Sequence, residues 1–376
     1  MEALKILLNV ALLFIAVIAD VEDLRNCSRI SRHLPINIVE PIHYKINLLV
    51  KPNQRDLSGT SEITIIVKEA TRNISLNSYG IKIEFDHVKI TNISKTYDEP
   101  GELVAKLMLF RQCFQTQISV IIFDKVIKPG KYIFHIGYKS ILSEDIGIEH
   151  NAYLWDSTVN SDKWILTNHY IPKAIREIFP CWDDPTVNTT FDISITHPRT
   201  YGAFSVTLLA EDRKLPGNMH RTRFNEISKI PTYLLSIIVI SKMAYSDMTT
   251  RLHYVYQRFD YIHKFLLKKT CEMLGAAASE YNKLMRSFKK EIKVDHIFLS
   301  KAVMKVKAHP GVIIYREEDF FYNKTYYYAG RETFMFTLLS HQVGRQWFLG
   351  TEVHDDWLFR EAISLFYGYL IPSQLF

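Results

Sequence analysis

Leu338-Leu339-Ser340-His341-Gln342-Val343-Gly344-Arg345-Gln346-Trp347-Phe348 closes a run from Glu332 whose apolar residues recur at helical spacing. A helix here places His341 and Arg345, four residues apart, on one face. Downstream, Leu358 to Leu370 reads as a second helix, and upstream Val312 to Tyr315 reads as a strand. Further back, from about Asp260, Ile262, Leu266, Met273, Ala277, Tyr281 and Leu284 are separated by three, four or seven, as a helix burying one stripe requires. Before that the period is two. Ile42, Tyr44, Ile46, Leu48 and Val50 share a face, as do Ile63, Ile65 and Val67. Tyr132, Phe134, Ile136 and Tyr138 repeat the pattern after Pro129-Gly130, and Phe191, Ile193 and Ile195 repeat it before His197-Pro198. The pattern changes once, which predicts an α+β chain with a β domain over 20–240 and a mainly helical domain over 241–376.

The chain has 376 residues, enough for two or three domains and a sizeable core. With 47% hydrophobic and 23% charged residues, neither disorder nor a polytopic membrane protein is expected. The net charge of +6 is spread without a basic run, so nucleic acid is not an expected partner. Cys27, Cys113, Cys181 and Cys271 make no CxxC pair, which argues against a zinc ribbon and leaves room for one or two isolated disulfides.

Ile6 to Ala19 is an apolar run behind one lysine, ending in small residues before Asp20. This layout predicts a signal peptide over 1–19, too short to span a bilayer comfortably. Sequons at Asn26, Asn73, Asn92, Asn188 and Asn323 fit a secreted glycoprotein, and no transmembrane segment is expected once the signal is removed.

The chemistry concentrates after residue 300. The His341 stretch has the frame of an HExxH metallopeptidase helix, in which two His bind zinc and the intervening Glu takes a proton from metal-bound water. Gln342 stands at the general-base position, and an amide has no useful basicity. Arg345 stands at the second His, and a guanidinium has no free lone pair and repels a dication.

Phe179-Pro180-Cys181-Trp182-Asp183-Asp184-Pro185, Gly311-Val312-Ile313-Ile314-Tyr315-Arg316-Glu317 and Gln346-Trp347-Phe348 together resemble zinc aminopeptidases of the aminopeptidase N type, a gluzincin family, and especially its insect members. The first stretch is similar to the family's FPCWDEP, the second to its GLITYRE. The resemblance covers nearly the whole chain after residue 19. It implies a β-rich saddle domain followed by a thermolysin-like catalytic domain. Because the sequence ends fifteen residues after Glu361, that domain would be incomplete, lacking the family's oxyanion-stabilising Tyr and leaving Leu365, Phe366 and Tyr369 of the last helix exposed. Such a chain could equally be too poorly buried to survive secretion.

The resemblance also supplies further site positions. Glu361, 20 residues after His341, falls on the third zinc ligand across a connection shorter than the family's, or is an ordinary solvated helix carboxylate. The amine-anchoring Glu of a GAMEN stretch is replaced by Ala308 within Lys305-Val306-Lys307-Ala308-His309. A second anchor, Gln-x-Glu, is replaced by His169 and Ile171. Other groups that could rebuild a metal site are His309, His354, Asp355 and Asp356, each of which is an ordinary packed or surface residue otherwise. Cys181 reads as a buried structural thiol. Zinc is therefore expected to be weakly held or absent, and the expected activity is that of a pseudoenzyme binding peptides or a protein partner. The alternative is a zinc metalloaminopeptidase with an altered site, releasing N-terminal amino acids.

Overall fold

The computed structural model describes residues 34–54, 56–93, 101–140, 153–156, 163–168, 174–241, 244–250, 253–257, 261–284, 293–299, 305–328, 330–348 and 357–375. The expected signal peptide, Asn26, Cys27, His169, Ile171, His354, Asp355 and Asp356 lie outside them.

The alternating segments pair into an eleven-stranded sheet. Its ribbon runs β12 (Leu209–Leu215), β13 (Met219–Phe224), β10 (Thr189–Pro198), β1 (Val39–Lys51), β2 (Asp56–Val67), β7 (Gly130–Ser140), β4 (Ile81–Asn92), β5 (Leu103–Cys113), β6 (Ile118–Ile127) and β3 (Thr71–Asn77), with β14 (Ile227–Ile230) also on β10. Tyr44, Ile46, Leu48 and Val50 of β1 point into the core, and so do Ile63, Ile65 and Val67 of β2. Ile42 departs from the pattern. The β1–β2 register shifts between Pro41 and His43, so the alternation restarts there and Pro41 takes the buried position instead.

A smaller antiparallel sheet follows the order β11 (Tyr201–Ser205), β15 (Ile237–Ser241), β9 (Lys163–Thr167), β8 (Tyr153–Asp156). Chain after residue 241 builds a third, mixed sheet: β16 (Ala244–Thr250), β17 (His253–Gln257), β18 (Val294–Leu299), β20 (Val312–Arg316) and, at its edge, β19 (Val306–His309). This sheet adds four strands to the one expected at Val312. β17, β18 and β20 are mutually parallel, the others antiparallel.

Besides the single turn α1 (Ile175–Ile178), three long helices are described: α2 (Tyr261–Leu284), α3 (Gly330–Phe348) and α4 (Trp357–Leu375). One core lies among the strands of the first two sheets. A second gathers Met273, Ala277 and Tyr281 of α2, Phe336, Leu339 and Val343 of α3, Ile371 of α4, and Phe298 and Tyr315 of the third sheet. Between them Ile238 and Ile240 of β15 pack on Ile297, Leu299, Val312 and Ile314, joining β15 to the third sheet. Among the described residues no helix is long and apolar enough to cross a membrane.

Candidate active-site cleft

The crossing of α3 and α4 sets the geometry. A Cβ added to Gly368 would lie 2.8 Å from the Cβ of His341, so only glycine lets α4 approach α3 at that point. Glu361 lies seven residues before Gly368, on the same helical face. That spacing lays its carboxylate across His341 and Arg345, themselves one turn apart. Glu361 Oε1 is 3.1 Å from His341 Nε2, and Oε2 is 3.1 Å from Arg345 Nε. Gln342 is buried beside them, its Nε2 3.3 Å from His341 Nδ1 and its Oε1 accepting from Arg345 Nη1 at 3.4 Å.

Burial holds the His341 imidazole below its usual pKa, the Glu361 carboxylate pulls it back up, and Arg345 adds to the depression. A zinc site of the expected kind needs three protein donors in a tetrahedral set. Here two donors meet a guanidinium, which cannot ligate and already holds the Glu361 carboxylate. The described residues at this position do not fit the metal. Among the described residues no three His, Cys, Asp or Glu side chains stand close enough to hold one.

Arg345 and Glu361 of this group border a cleft of about 340 Å³. Arg345, Phe348, Arg360, Glu361 and Ser364 line it from the helices, Lys307, Ala308 and His309 from β19, and Tyr233 and Leu234 from the segment before β15. Ala308 presents no carboxylate there. Burial, and then the Arg345 guanidinium, lower the pKa of Lys307. Burial first and Lys307 second push His309 down to about 3, so its imidazole is neutral.

Two stretches quoted from the sequence only as motifs turn out to support the cleft. Gln346 Oε1 accepts the Gly311 N–H at 2.9 Å and its Nε2 donates to the His309 carbonyl at 3.1 Å, tying the β19–β20 turn to α3. Gly311 has a φ of 72°, and a Cβ there would sit 2.1 Å from the Val206 carbonyl oxygen. The Pro310-Gly311 pair was the available signal.

The second support is the Phe179–Pro185 stretch. Phe179, Cys181 and Trp182 are fully buried. Asn77 and Cys181 exchange backbone hydrogen bonds, the Trp182 N–H donates to Tyr44 Oη at 3.1 Å, and Asp183 pairs with Arg176 at 2.6 Å. Thr232 Oγ1 donates to the Trp182 carbonyl at 2.7 Å, which fixes the backbone beside Tyr233 and Leu234. The stretch thus holds up one wall of the cleft. Cys181 is a free thiol whose pKa burial raises well above its usual value. Of the sequon residues, Asn73 and Asn92 are exposed and Asn188 and Asn323 half-buried. Cys113 is disulfide-bonded.

The described residues thus form a β-rich first part, a mixed five-stranded sheet and a helix pair on which His341 and Glu361 meet at 3.1 Å beside the cleft. The family model for the Peptidase M1 N-terminal domain matches residues 40–234, and the chain belongs to the M1 aminopeptidase family. It is 24% identical over 334 residues to glutamyl aminopeptidase of Homo sapiens, covering 85% of this chain and 33% of that protein. It is 24% identical to aminopeptidase M1 of Arabidopsis thaliana, covering 85% and 36%, and 23% identical to endoplasmic reticulum aminopeptidase 2 of Homo sapiens, covering 85% and 33%. The chain therefore spans about a third of the length of the curated relatives it matches.

Proposed function

We propose that this chain is an exported M1 aminopeptidase relative that has lost hydrolysis and acts by holding a peptide or a protein segment in the cleft. The observation that carries this reading is the Arg345–Glu361 pair at 3.1 Å. A fixed side-chain cation sits against the carboxylate that a metal would need, on the helix where a ligand is required. Gln342 removes the base as well, and loss of general-base catalysis alone costs about 10² to 10⁴ in rate. The disulfide at Cys113 and the exposed sequons Asn73 and Asn92 support export through an oxidising, glycosylating compartment. Elemental analysis of the dialysed protein tests the central claim. Wild type should hold substoichiometric zinc and release no amino acid from aminoacyl-nitroanilides, while the Gln342→Glu, Arg345→His double variant should take up one equivalent. Stoichiometric zinc with chelator-sensitive release in wild type would overturn it.

A second reading, a zinc metalloaminopeptidase with an altered ligand set, is favoured by the approach of His341 to Glu361 at 3.1 Å. Under it wild type should already hold one zinc, and the His341→Ala variant should lose it.

A further inference from the structure

We propose that the cleft takes an anion, the carboxylate of a peptide, and disfavours the ammonium group that an aminopeptidase anchors. This rests on the peptide-holding reading above. Among the described residues, three cations, Lys307, Arg345 and Arg360, line the cleft against one carboxylate, Glu361. That carboxylate is already engaged, one oxygen beside His341 and the other on Arg345. Among the described residues no carboxylate pairs with Lys307 or Arg360, and Arg360 Nε is buried without a hydrogen-bond partner. Cationic side chains lining a cleft without a counter-ion attract an incoming carboxylate, which they hold in charge-assisted hydrogen bonds. His309 is neutral and adds nothing to the positive charge of the three cations. The walls between the cations are apolar, from Leu234, Ala308 and Phe348. That combination suits a carboxylate carried on an apolar peptide better than a bare hydrated anion.

Calorimetric titration of the full chain with one apolar hexapeptide in three forms tests this, with inorganic phosphate as a fourth probe. The forms are free carboxylate with acetylated amine, free amine with amidated carboxyl, and both ends blocked. The carboxylate form should bind roughly tenfold or more tighter than the blocked form, the gain of a hydrogen bond to a charged group. The amine form should bind no better than the blocked one, and the preference should weaken with salt. Lys307→Gln and Arg360→Gln should each erase the preference, read as the ratio of carboxylate-form to blocked-form affinity within the same variant, and Arg360→Lys should restore part of it. Thermal melts of each variant confirm folding. Equal binding of all forms, or tightest binding of the amine form, would overturn the anion assignment and leave the peptide reading standing. No binding by any peptide, with or without phosphate binding, would overturn both.

Discussion

The Arg345–Glu361 pair is worth weighing as a single interaction. Both side chains are about a third exposed, at 33% and 38%, so solvent screens their attraction. Exposed pairs contribute about 0.2–1 kcal/mol, and half-exposed ones fall near the upper end. Arg345→Met should therefore lower stability by no more than about 1 kcal/mol in urea titration. A loss several times larger would mean that Glu361 is stranded in a dry environment and that the pair is structurally indispensable. Cys181 carries a second expectation at this scale. Its thiol is buried and its pKa raised, so iodoacetamide should leave it unmodified in the native protein and alkylate it only on unfolding. Native alkylation would contradict the packing of the Phe179–Pro185 stretch. At residue scale the sequence carried the identities at His341, Gln342 and Arg345, because side-chain chemistry is local. It did not carry what they touch. Gln346 was legible only as part of a stretch, since its two partners lie 35 and 37 residues away on a turn whose docking is set by the fold.

Among elements, the α3–α4 crossing depends on Gly368. Gly368→Val would push side-chain atoms against the backbone and Cβ of His341, where the neighbour cannot rotate away. Overpacking of this kind costs about 1–3 kcal/mol. The variant should melt several degrees lower and lose any peptide binding, since Arg360 would withdraw with its helix; unchanged melting and binding would contradict the close crossing. The Trp182 N–H makes a comparable demand on β1. Tyr44→Phe removes its acceptor in a fully buried place, which should cost about 1–3 kcal/mol by chemical denaturation. The first two-thirds of the chain was readable because its strands bury one face and alternate, as Tyr44, Ile46, Leu48 and Val50 do. Val294–Leu299 was not, because all six residues are buried and a central parallel strand gives no alternation to detect. The apolar spacing predicts α4 only as far as Leu370, yet the helix continues through Pro372 to Leu375. Proline in the last turn loses only one backbone bond there, and Ile371 beside it is buried in the second core.

For the whole molecule, the stability of the third sheet should depend on pH through histidines held neutral. His253 Nδ1 lies 3.1 Å from His296 Nε2, and His296 Nδ1 lies 2.9 Å from Tyr315 Oη, a stacked series inside the core. Burial lowers His253 to about 4 and holds His296 well below its usual range, with His253 adding to the latter effect. His309 falls to about 3. Unfolded, all three titrate near 6.5. Between that value and the folded ones the unfolded chain binds more protons, so stability rises with pH across the window and is complete above about 6.5. On acidification it is lost from about pH 6.5 down toward 4 for His253 and toward 3 for His309, at up to about 1.4 kcal/mol per unit of separation for each group. Asp295, raised by burial beside Lys293, works in the opposite sense and offsets part of the loss once pH falls below its folded value. Glu332, lowered by its bond to Lys269, gives stability that is complete above the unfolded carboxylate range and is lost only at more acid pH. The midpoint of urea unfolding should thus be level from pH 8 to 7 and fall from 6.5 to 5. A midpoint unchanged across 6.5 to 5 would mean that these imidazoles are solvated, and the packing of His253 on His296 would have to be abandoned.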